Sequence, residues 1–310
     1  MMTDRLDDMA AFAAVAQAGG FTAAAMRLDV SKSRLSRQVS ALEARLGVRL
    51  MHRTTRATAL TDAGTAYLAH ATRLLEDIAD AEDAVRSLGG ALAGTIRIAV
   101  PLTFGIDHVA PAVQQFMAAH PNVLVDASFD DRRVDLVAGG FDLAIRMGPR
   151  MVDSGLVVRK LADLRTAIVG APSLLNNIGR PERLDDLANF PCLVYANRPA
   201  DDQWRFETPE GPRVVRGPER LRADNGTVLA EAAAAGFGLT VLPIFIVGPL
   251  ICRGELEIIL PSQLLPRIEL RLVHPPGRQR STKIRALADH LADAFRGAPW
   301  ERDVPLLPYP

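Results

Sequence analysis

The side chains best suited to chemistry lie close together near the start of the chain, between Ser31 and Arg56. This stretch contains seven basic residues and one acid, Glu43, which gives a local charge of +6. The whole chain has 36 basic and 36 acidic residues, so its net charge of zero conceals this excess. Because guanidinium and ammonium groups concentrated on one surface bind phosphate oxygens, the cluster predicts a phosphate-bearing partner.

Most of this cluster falls on one predicted helix, Lys32 to Leu46. Ser31 is a favourable N-cap and Gly47 a favourable stop. The apolar residues that recur every three or four positions, and that we expect to be buried, are Leu35, Val39, Leu42 and Leu46. This pattern leaves the basic side chains in solvent.

Two shorter helices are predicted before the basic helix. The first ends at Gly19-Gly20, and the second starts from a Thr22 cap and runs through Met26 and Leu28. The tight connection at Asp29-Val30 is typical of a helix-turn-helix. The residues that we expect the first helix to bury are Met9, Phe12, Val15 and Ala16.

Two short strands, 48–53 and 57–60, are predicted around an arginine-bearing tip and form a wing. Thr61 then caps a long helix that reaches about Leu88. Residues 62–88 contain two basic residues and six acids, a local charge of −4. The heptad pattern favours a coiled coil with a second copy of the chain, and the alternative is a helix packed on its own domain. The seam residues are Tyr67, Ala71, Leu74, Ile78, Ala81, Val85 and Leu88.

The remaining chain alternates short apolar strands with amphipathic helices, which predicts two α/β lobes with a cleft between them. The first lobe has strands 96–100, 124–129 and 143–147 with helices 109–120 and 134–138, and the second has strand 166–170, hairpin 204–215, helix 227–235 and strand 239–242. Strand 270–274 and helix 283–296 are expected to return to the first lobe.

The uncharged run 232–252 is long enough to cross a bilayer, but its internal glycines and prolines predict a helix end, a strand and a new helix instead. The first 25 residues lack a secretory signal pattern, and Cys192 and Cys252 form no disulfide or metal spacing. We therefore expect a cytoplasmic protein with no membrane partner.

Two other classes of protein compete with this interpretation. An enzyme is disfavoured because the sequence has no G-x-S-x-G, H-E-x-x-H or phosphate-binding loop, and we predict no catalytic residue, cofactor or metal. An exported solute-binding protein would share the two lobes, but it would need an export signal and no basic N-terminal region.

The pattern from Phe12 to Leu68 resembles the DNA-binding domain of LysR-type transcriptional regulators. The effector domain of that family is also similar to segments further along the chain. The segments that carry the resemblance are Ala16–Ala25, Val30–Val39, Leu42-Glu43, Leu46–Leu50, Arg53–Arg56, Leu60–Gly64, Phe141–Gly148, Ala234–Leu239 and Leu242-Pro243.

The resemblance implies a multidomain α/β chain: a winged helix-turn-helix, a long linker helix for dimerisation and a two-lobed effector domain like the type 2 periplasmic binding proteins. It implies operator DNA, a small-molecule effector, RNA polymerase and further copies of the chain, as a dimer or tetramer, as partners. The expected boundaries are 1–61, 62–89 and 90–297, with lobe I at 94–164 and 268–296, lobe II at 165–267, and a tail at 298–310.

In the DNA-binding domain, the resemblance implies that the basic helix enters the major groove. Lys32, Ser33 and Arg34 would reach base edges, Ser36, Arg37, Thr54 and Thr55 would contact phosphate, and Arg53 and Arg56 would place the wing along the minor groove. Arg45 and Arg49 are expected to be solvated or paired within the protein. Many family members have a glutamine-proline pair where this chain has Lys32-Ser33, so the preferred bases stay open.

In the effector domain, we expect a small organic anion between the lobes, bound by the N–H groups at the Thr227 helix start and by Arg146. Pairing of Arg146 with Asp142 is an equal alternative. The predicted wall residues are Pro101, Leu102, Thr103, Phe104, Ser128, Phe129, Asp130, Arg146, Met147, Asn225, Gly226, Thr227, Thr240, Leu242 and Pro243.

Overall fold

A computed structural model shows the chain as two compact units, residues 1–92 and residues 93–310. The structure describes residues 2–53, 58–86, 91–132, 134–137, 139–148, 155–197, 204–215, 217–263, 265, 268–302 and 304.

The N-terminal unit is built on helices that share one apolar core. Its elements are α1 (Met2–Gln17), α2 (Phe21–Leu28), α3 (Lys32–Leu46), β1 (Met51–Arg53), β2 (Thr58–Leu60) and α4 (Asp62–Arg86). Phe12, Val15, Leu35 and Leu42 are fully or almost fully buried between the first three helices. The antiparallel strands β1 and β2 form the wing, with Met51 opposite Leu60.

Two sequence-based details of this unit, the Thr22 cap and the burial of Leu46, are wrong. Helix α2 begins at Phe21, so Thr22 lies inside the helix and Gly20 occupies the cap position. The helix runs through Met26 and Leu28, as predicted, and both side chains are exposed, because α2 buries the face that carries Phe21 and two alanines. Leu46 is also exposed, since α3 ends there and its last turn extends past the core.

The seam of α4 divides into two parts. At its start, Ala71 is fully buried and Tyr67 packs edge-on against Phe12 with ring centroids 5.6 Å apart. Further along, Leu74 and Val85 are 52% and 67% exposed. The first turns therefore pack on their own domain, as the alternative interpretation held, whereas the later turns present apolar side chains to solvent. Leu88 lies outside the described residues.

The C-terminal unit alternates strands and helices, as predicted. Its elements are β3 (Ala93–Val100), α5 (Leu102–Phe104), α6 (Ala110–Ala119), β4 (Asn122–Phe129), β5 (Leu143–Gly148), β6 (Val157–Leu164), β7 (Thr166–Gly170), α7 (Pro172–Ile178), β8 (Cys192–Tyr195), β9 (Arg205–Thr208), β10 (Gly211–Val214), β11 (Glu219–Ala223), α8 (Gly226–Ala234), β12 (Thr240–Pro243), α9 (Ile244–Cys252), β13 (Glu257–Ile259), β14 (Ile268–His274) and α10 (Thr282–Ala294).

Sheet membership defines two lobes. Lobe I contains a five-stranded sheet in the order β4-β3-β5-β14-β6, in which β3 is parallel to β4 and β5, and β14 is antiparallel to β5 and β6. The late strand β14 therefore returns to the first sheet, as the sequence predicts. Lobe II contains the sheet β12-β7-β13, the parallel pair β11-β8 and the hairpin β9-β10. The chain first passes from lobe I to lobe II at Arg165, between β6 and β7.

The predicted elements of lobe I need two corrections. The helix expected at 109–120 is helical from Leu102 to Ala119, with a π-helical turn at Gly105–Val109 between α5 and α6. The helix expected at 134–138 is wrong, because the described residues 134–137 are turn and irregular backbone. Strand β6 was not predicted, since it carries charged residues and only its last residue, Leu164, is buried.

Residues 232–252 fold as the end of α8, strand β12 and helix α9, as the sequence predicts. Within the part of the chain that the structure describes, no single helix is long and apolar enough to cross a membrane. One pair of helices, Arg5–Gln17 and Phe21–Leu28, meets the length and composition criteria jointly, but the two are bent by 116°.

Gly64 is the contact point between α4 and the wing. A Cβ at Gly64 would lie 1.9 Å from the carbonyl oxygen of Leu50. We expect Gly64→Ala to destabilise the N-terminal unit by about 1–3 kcal/mol, the usual cost of overpacking. Hydrogen exchange of peptides from residues 35–70 measures this loss. The control Ala69→Ser, at an exposed site of the same helix, should change the protection of these peptides little. Protection in Gly64→Ala equal to that of the wild type would contradict this prediction.

Candidate functional site

Helix α3 presents its polar face from a fixed position. The Ser31 Oγ accepts a hydrogen bond from the N–H of Arg34 at 3.2 Å, which confirms the predicted cap. Gly47 ends the helix in the left-handed conformation with φ +69°. Of the predicted DNA-contact residues on this helix, those that are exposed are Lys32, Ser33, Arg34 and Arg37, and Ser36 is half-buried.

A carboxylate of α3 holds the start of the wing. Oε1 of Glu43 accepts hydrogen bonds from the N–H groups of Leu50 and Met51 at 2.9 and 3.1 Å. The backbone of Arg53 is paired with Thr58 in the wing. Sequence reasoning did not assign Glu43 this role, although its position in the last turn of the predicted helix, shortly before the predicted strand 48–53, was visible. The wing-tip candidates outside the described residues are Thr54, Thr55 and Arg56.

Arg45 belongs to the fold, which is one of the two roles that the sequence left open for it. Its Nη1 lies 3.1 Å from Oδ2 of Asp8, and the two side chains are 32% and 12% exposed. This pair joins α3 to α1. Asp8 therefore offsets the charge of Arg45, which adds little to the basic surface that a partner can reach. The other basic side chains of α3 are exposed and lie in its first two turns.

Hydroxyl and amide groups at two helix starts, one in each lobe, meet where the sequence predicts the cleft. Oγ1 of Thr103, in lobe I, lies 3.3 Å from Oγ1 of Thr227 in lobe II. Nδ2 of Asn225 donates to the same Thr103 oxygen at 3.3 Å. These residues, predicted from separate segments more than 120 positions apart, meet in one place, so the structure brings the two predicted walls together.

Side-chain oxygens accept hydrogen bonds from backbone N–H groups at both helix starts. Oδ1 of Asn225 accepts from the N–H groups of Thr227 and Val228 at 2.9 and 3.3 Å. Oδ1 of Asp131 accepts from the N–H of Leu102 at 2.9 Å. The N–H groups of Thr227 and Val228, which we expected to be available to a ligand, are therefore bonded within the protein. An asparagine directly before a helix is a strong N-cap, which explains the outcome.

Arg146 has a backbone partner in lobe I. Its Nη2 donates to the carbonyl oxygen of Val134 at 2.9 Å, and its side chain is half-buried. Asp142, the alternative partner from the sequence, accepts from the N–H of Arg97 at 2.7 Å and pairs with Arg278 at 3.1 Å.

The other predicted wall residues separate into a surface set and a core set. Phe104 is fully buried among aromatic rings, the hydroxyl of Thr240 donates to Leu193 O at 3.2 Å, and Leu242 is buried in the core of lobe II. We therefore remove these three from the cleft lining. Two of the remaining candidates, Pro101 and Gly226, are buried, and the others are half-buried or exposed. The remaining set is Pro101, Leu102, Thr103, Ser128, Phe129, Asp130, Arg146, Met147, Asn225, Gly226, Thr227 and Pro243.

Comparisons with known proteins agree with this two-part arrangement. Residues 6–65 match the family model "Bacterial regulatory helix-turn-helix protein, lysR family", and residues 89–296 match the "LysR substrate binding domain". The HTH-type transcriptional regulator PtxR of Pseudomonas aeruginosa is 35% identical over 296 residues, which cover 95% of this chain and 94% of that protein. The chain belongs to the LysR family of bacterial transcriptional regulators.

Two further relatives support the same assignment. The HTH-type transcriptional activator AaeR of Escherichia coli is 31% identical over 293 residues, 94% of each chain. The structure of CrgA, a LysR-type regulator from Neisseria meningitidis, matches with a TM-score of 0.60 and 26% identity over 94% of this chain and 98% of that one. The predicted winged helix-turn-helix and α/β substrate-binding domain are confirmed, and so is the prediction that the chain is a DNA-binding regulator and not an enzyme.

Within the LysR substrate-binding domain, sequence reasoning missed Asp131. Burial raises the pKa of its carboxyl group, the hydrogen bond from Leu102 opposes this effect, and the nearby Asp130 and Asp224 raise the pKa further. Three carboxyl groups therefore lie near the start of α5. The sequence offered a weak signal, since Asp131 directly follows the predicted wall residue Asp130.

Neutralising Asp131 should stabilise the substrate-binding domain at neutral pH. A raised folded-state pKa favours the native state at low pH, and this contribution is lost as the pH rises through that pKa. Asp131→Asn keeps an oxygen for the N–H of Leu102 and cannot ionise. Its free energy of unfolding should exceed that of the wild type by an amount that grows from pH 4 to pH 7 in denaturant titrations.

The matched control is Asp130→Asn, at the exposed neighbour whose carboxylate accepts from the N–H of Arg132. This change should have a smaller effect across the same pH range. A difference between Asp131→Asn and the wild type that does not vary with pH would contradict the assignment.

Proposed function

We propose that this LysR-type regulator binds operator DNA through the first turns of α3 and the wing, and that a small-molecule effector between lobes I and II modulates this binding. The observation that carries the proposal is the first turn of α3, where Lys32, Ser33 and Arg34 are exposed beside a capped helix start. The N-terminal end of a recognition helix is the part that reaches base edges in the major groove.

Within this proposal, each polar group has a distinct role. Arg34 binds a guanine through its fork, with Lys32 and Ser33 on neighbouring base edges. Ser36 and Arg37, one turn later, contact phosphate. The wing residues Arg53, Thr54, Thr55 and Arg56 follow the adjacent backbone and minor groove.

We further propose that two copies of the chain associate through α4. Leu74, Ile78 and Val85 are exposed on the heptad seam in the single chain, and burying such a stripe against an identical helix stabilises a dimer. A tetramer and a contact with RNA polymerase belong to the same proposal. The functional boundaries are 1–61 for the DNA-binding domain, 62–89 for the linker helix, 90–297 for the substrate-binding domain and 298–310 for the tail.

For the effector, an organic anion is our first proposal, because Arg146 is the half-buried cation among the remaining wall residues. A cationic ligand is the rival class, favoured by Asp130, Asp131 and Asp224 near the same cleft. An anion requires the guanidinium of Arg146, whereas a cation requires the carboxylates, so one binding experiment separates the two ligand classes.

Arg34→Ala should weaken operator binding about 5- to 150-fold, equivalent to ~1–3 kcal/mol for a lost bidentate base contact, and should relax the preference at one base pair. The operator is first recovered from genomic fragments that the purified full chain retains. Affinity is then titrated at several salt concentrations.

Two controls separate base contact from charge. Arg34→Lys keeps the charge but not the fork, so it should lose base preference like Arg34→Ala. Arg37→Ala should keep the base preference and reduce the slope of log affinity against log salt by about 0.9, the value for one phosphate contact. Arg34→Ala with wild-type affinity and preference would overturn the assignment, and salt-independent binding would overturn the whole DNA-binding proposal.

Thermal unfolding of the full chain tests the effector class with matched pairs such as benzoate and benzylamine, or succinate and putrescine. A ligand that binds the folded state at 100 times its Kd stabilises it by about 2.7 kcal/mol and raises the Tm. We expect carboxylates to raise the Tm of the wild type but not of Arg146→Gln. A rise with the amines that Asp131→Asn abolishes would replace the anion with the cationic class, and no rise with carboxylates would contradict the anion.

A further inference from the structure

Residues 298–302 and 304, which we name the C-terminal strap, follow α10 and lie beyond the part of the chain that matches the LysR substrate-binding domain. We propose that this strap restrains the rotation of lobe II against lobe I, and so sets how readily the effector cleft opens. Three separate contacts place the strap across the point where the chain passes between the lobes. Each involves a different strap residue.

The first contact is made by Glu301 to Arg165, the residue between the last strand of the first passage through lobe I and the first strand of lobe II. Oε2 of Glu301 lies 2.7 Å from Nε of Arg165, and Oε1 accepts from the Arg165 N–H at 3.2 Å. The carbonyl oxygen of Arg165 accepts from the N–H of Ile244, at the start of α9, at 2.8 Å. The crossover backbone is therefore held by the strap on one side and by lobe II on the other.

The burial of this pair makes it more effective than an exposed one. The side chains of Arg165 and Glu301 are 32% and 12% exposed. Exposed pairs contribute little because water competes for both charges, whereas a carboxylate that also accepts a backbone N–H is fixed in orientation. Rotation about the crossover has to break both hydrogen bonds of Glu301.

The second contact is an aromatic cluster to which both lobes contribute. Trp300 packs against Phe104 of α5 and His108 of the π-helical turn, with ring centroids 5.1 and 5.2 Å apart. Phe245, in the first turn of α9, packs edge-on against the same Phe104 at 5.1 Å. Burial lowers the pKa of His108, although Asp107 opposes this effect, so its ring packs here in the neutral form at pH 7. Phe104 thus contacts one aromatic ring of lobe II and one of the strap at the same time.

The third contact depends on a glycine in α9. A Cβ at Gly248 would lie 2.8 Å from Cγ2 of Val304, so the strap approaches the α9 backbone closely enough to require glycine. This contact attaches the strap to lobe II independently of Arg165 and of the aromatic cluster.

The cluster is adjacent to the effector cleft. Phe104 directly follows Thr103, whose hydroxyl lies 3.3 Å from Thr227 across the cleft. Thr227 and Phe245 both belong to lobe II, whereas Thr103 and Phe104 both belong to lobe I. A rotation of lobe II that changes the Thr103–Thr227 separation therefore also moves Phe245 over Phe104, and Trp300 of the strap opposes this movement. This functional consequence rests on the proposed effector cleft, whereas the restraint itself is measurable in the ligand-free protein.

The test is the distance distribution between spin labels on the two lobes of the full chain, by pulsed electron resonance. One label is attached to Cys252, an exposed thiol at the end of α9, and one to Ala118→Cys on the exposed face of α6. Burial raises the pKa of Cys192 to about 11, so this thiol does not compete for the label at neutral pH. Excess unlabelled chain ensures that each oligomer holds at most one labelled copy.

We expect a single narrow distribution in this labelled chain and a second, separate population in the Trp300→Ala/Glu301→Ala double variant. Gly248→Ala should give the same second population, because it displaces the strap from lobe II without altering the strap sequence. The control Glu255→Ala removes a carboxylate from the exposed pair with Arg253 and should leave the distribution narrow.

Narrow distributions in both the Trp300→Ala/Glu301→Ala double variant and Gly248→Ala would overturn the proposal. If the double variant does not fold, Gly248→Ala decides the question alone. No operator DNA or effector enters this measurement, so a failure of the wild type to bind DNA would count against the proposed function and not against the strap.

Discussion

Backbone N–H groups at the ends of helices and strands must find acceptors, and in this protein the acceptors come from side chains that also position the functional surfaces. Ser31 supplies the acceptor at the start of the basic helix, and Glu43 supplies it for the wing. In the substrate-binding domain, Asn225 and Asp131 do the same at the two helix starts that face each other across the cleft. The requirement to satisfy the backbone therefore determines where the side chains for DNA and effector can lie.

The same requirement changes the electrostatic picture of the cleft. Two helix starts would favour an anion by their dipoles, yet here the N–H groups of Leu102, Thr227 and Val228 are bonded to side-chain oxygens, one of them from a carboxylate. An effector has to bind beside these caps or replace them. In the proposed effector site, selectivity thus depends on the balance between the Arg146 guanidinium and the carboxylates of Asp130, Asp131 and Asp224.

Charge also illustrates how a whole-chain average conceals local function. A net charge of zero is compatible with DNA binding because the basic residues cluster on α3 and the wing, and the acidic ones on α4. The structure narrows the cluster further, since Arg45 pairs with Asp8 and supports the fold. Long-range attraction to DNA depends on the part of the charge that stays exposed.

The sequence by itself determined the elements that depend on local patterns. These include the caps of α3 and α4, the amphipathic face of α3, the division of residues 232–252 and the return of β14 to the first sheet. Only the tertiary structure decided contacts between distant segments: Thr103 with Thr227, Asp131 with Leu102, and Glu301 with Arg165. It also decided that Phe104, Thr240 and Leu242 are core residues. Apolar periodicity predicts that a side chain is buried, but which distant residue lies against it depends on how distant elements of the fold pack together.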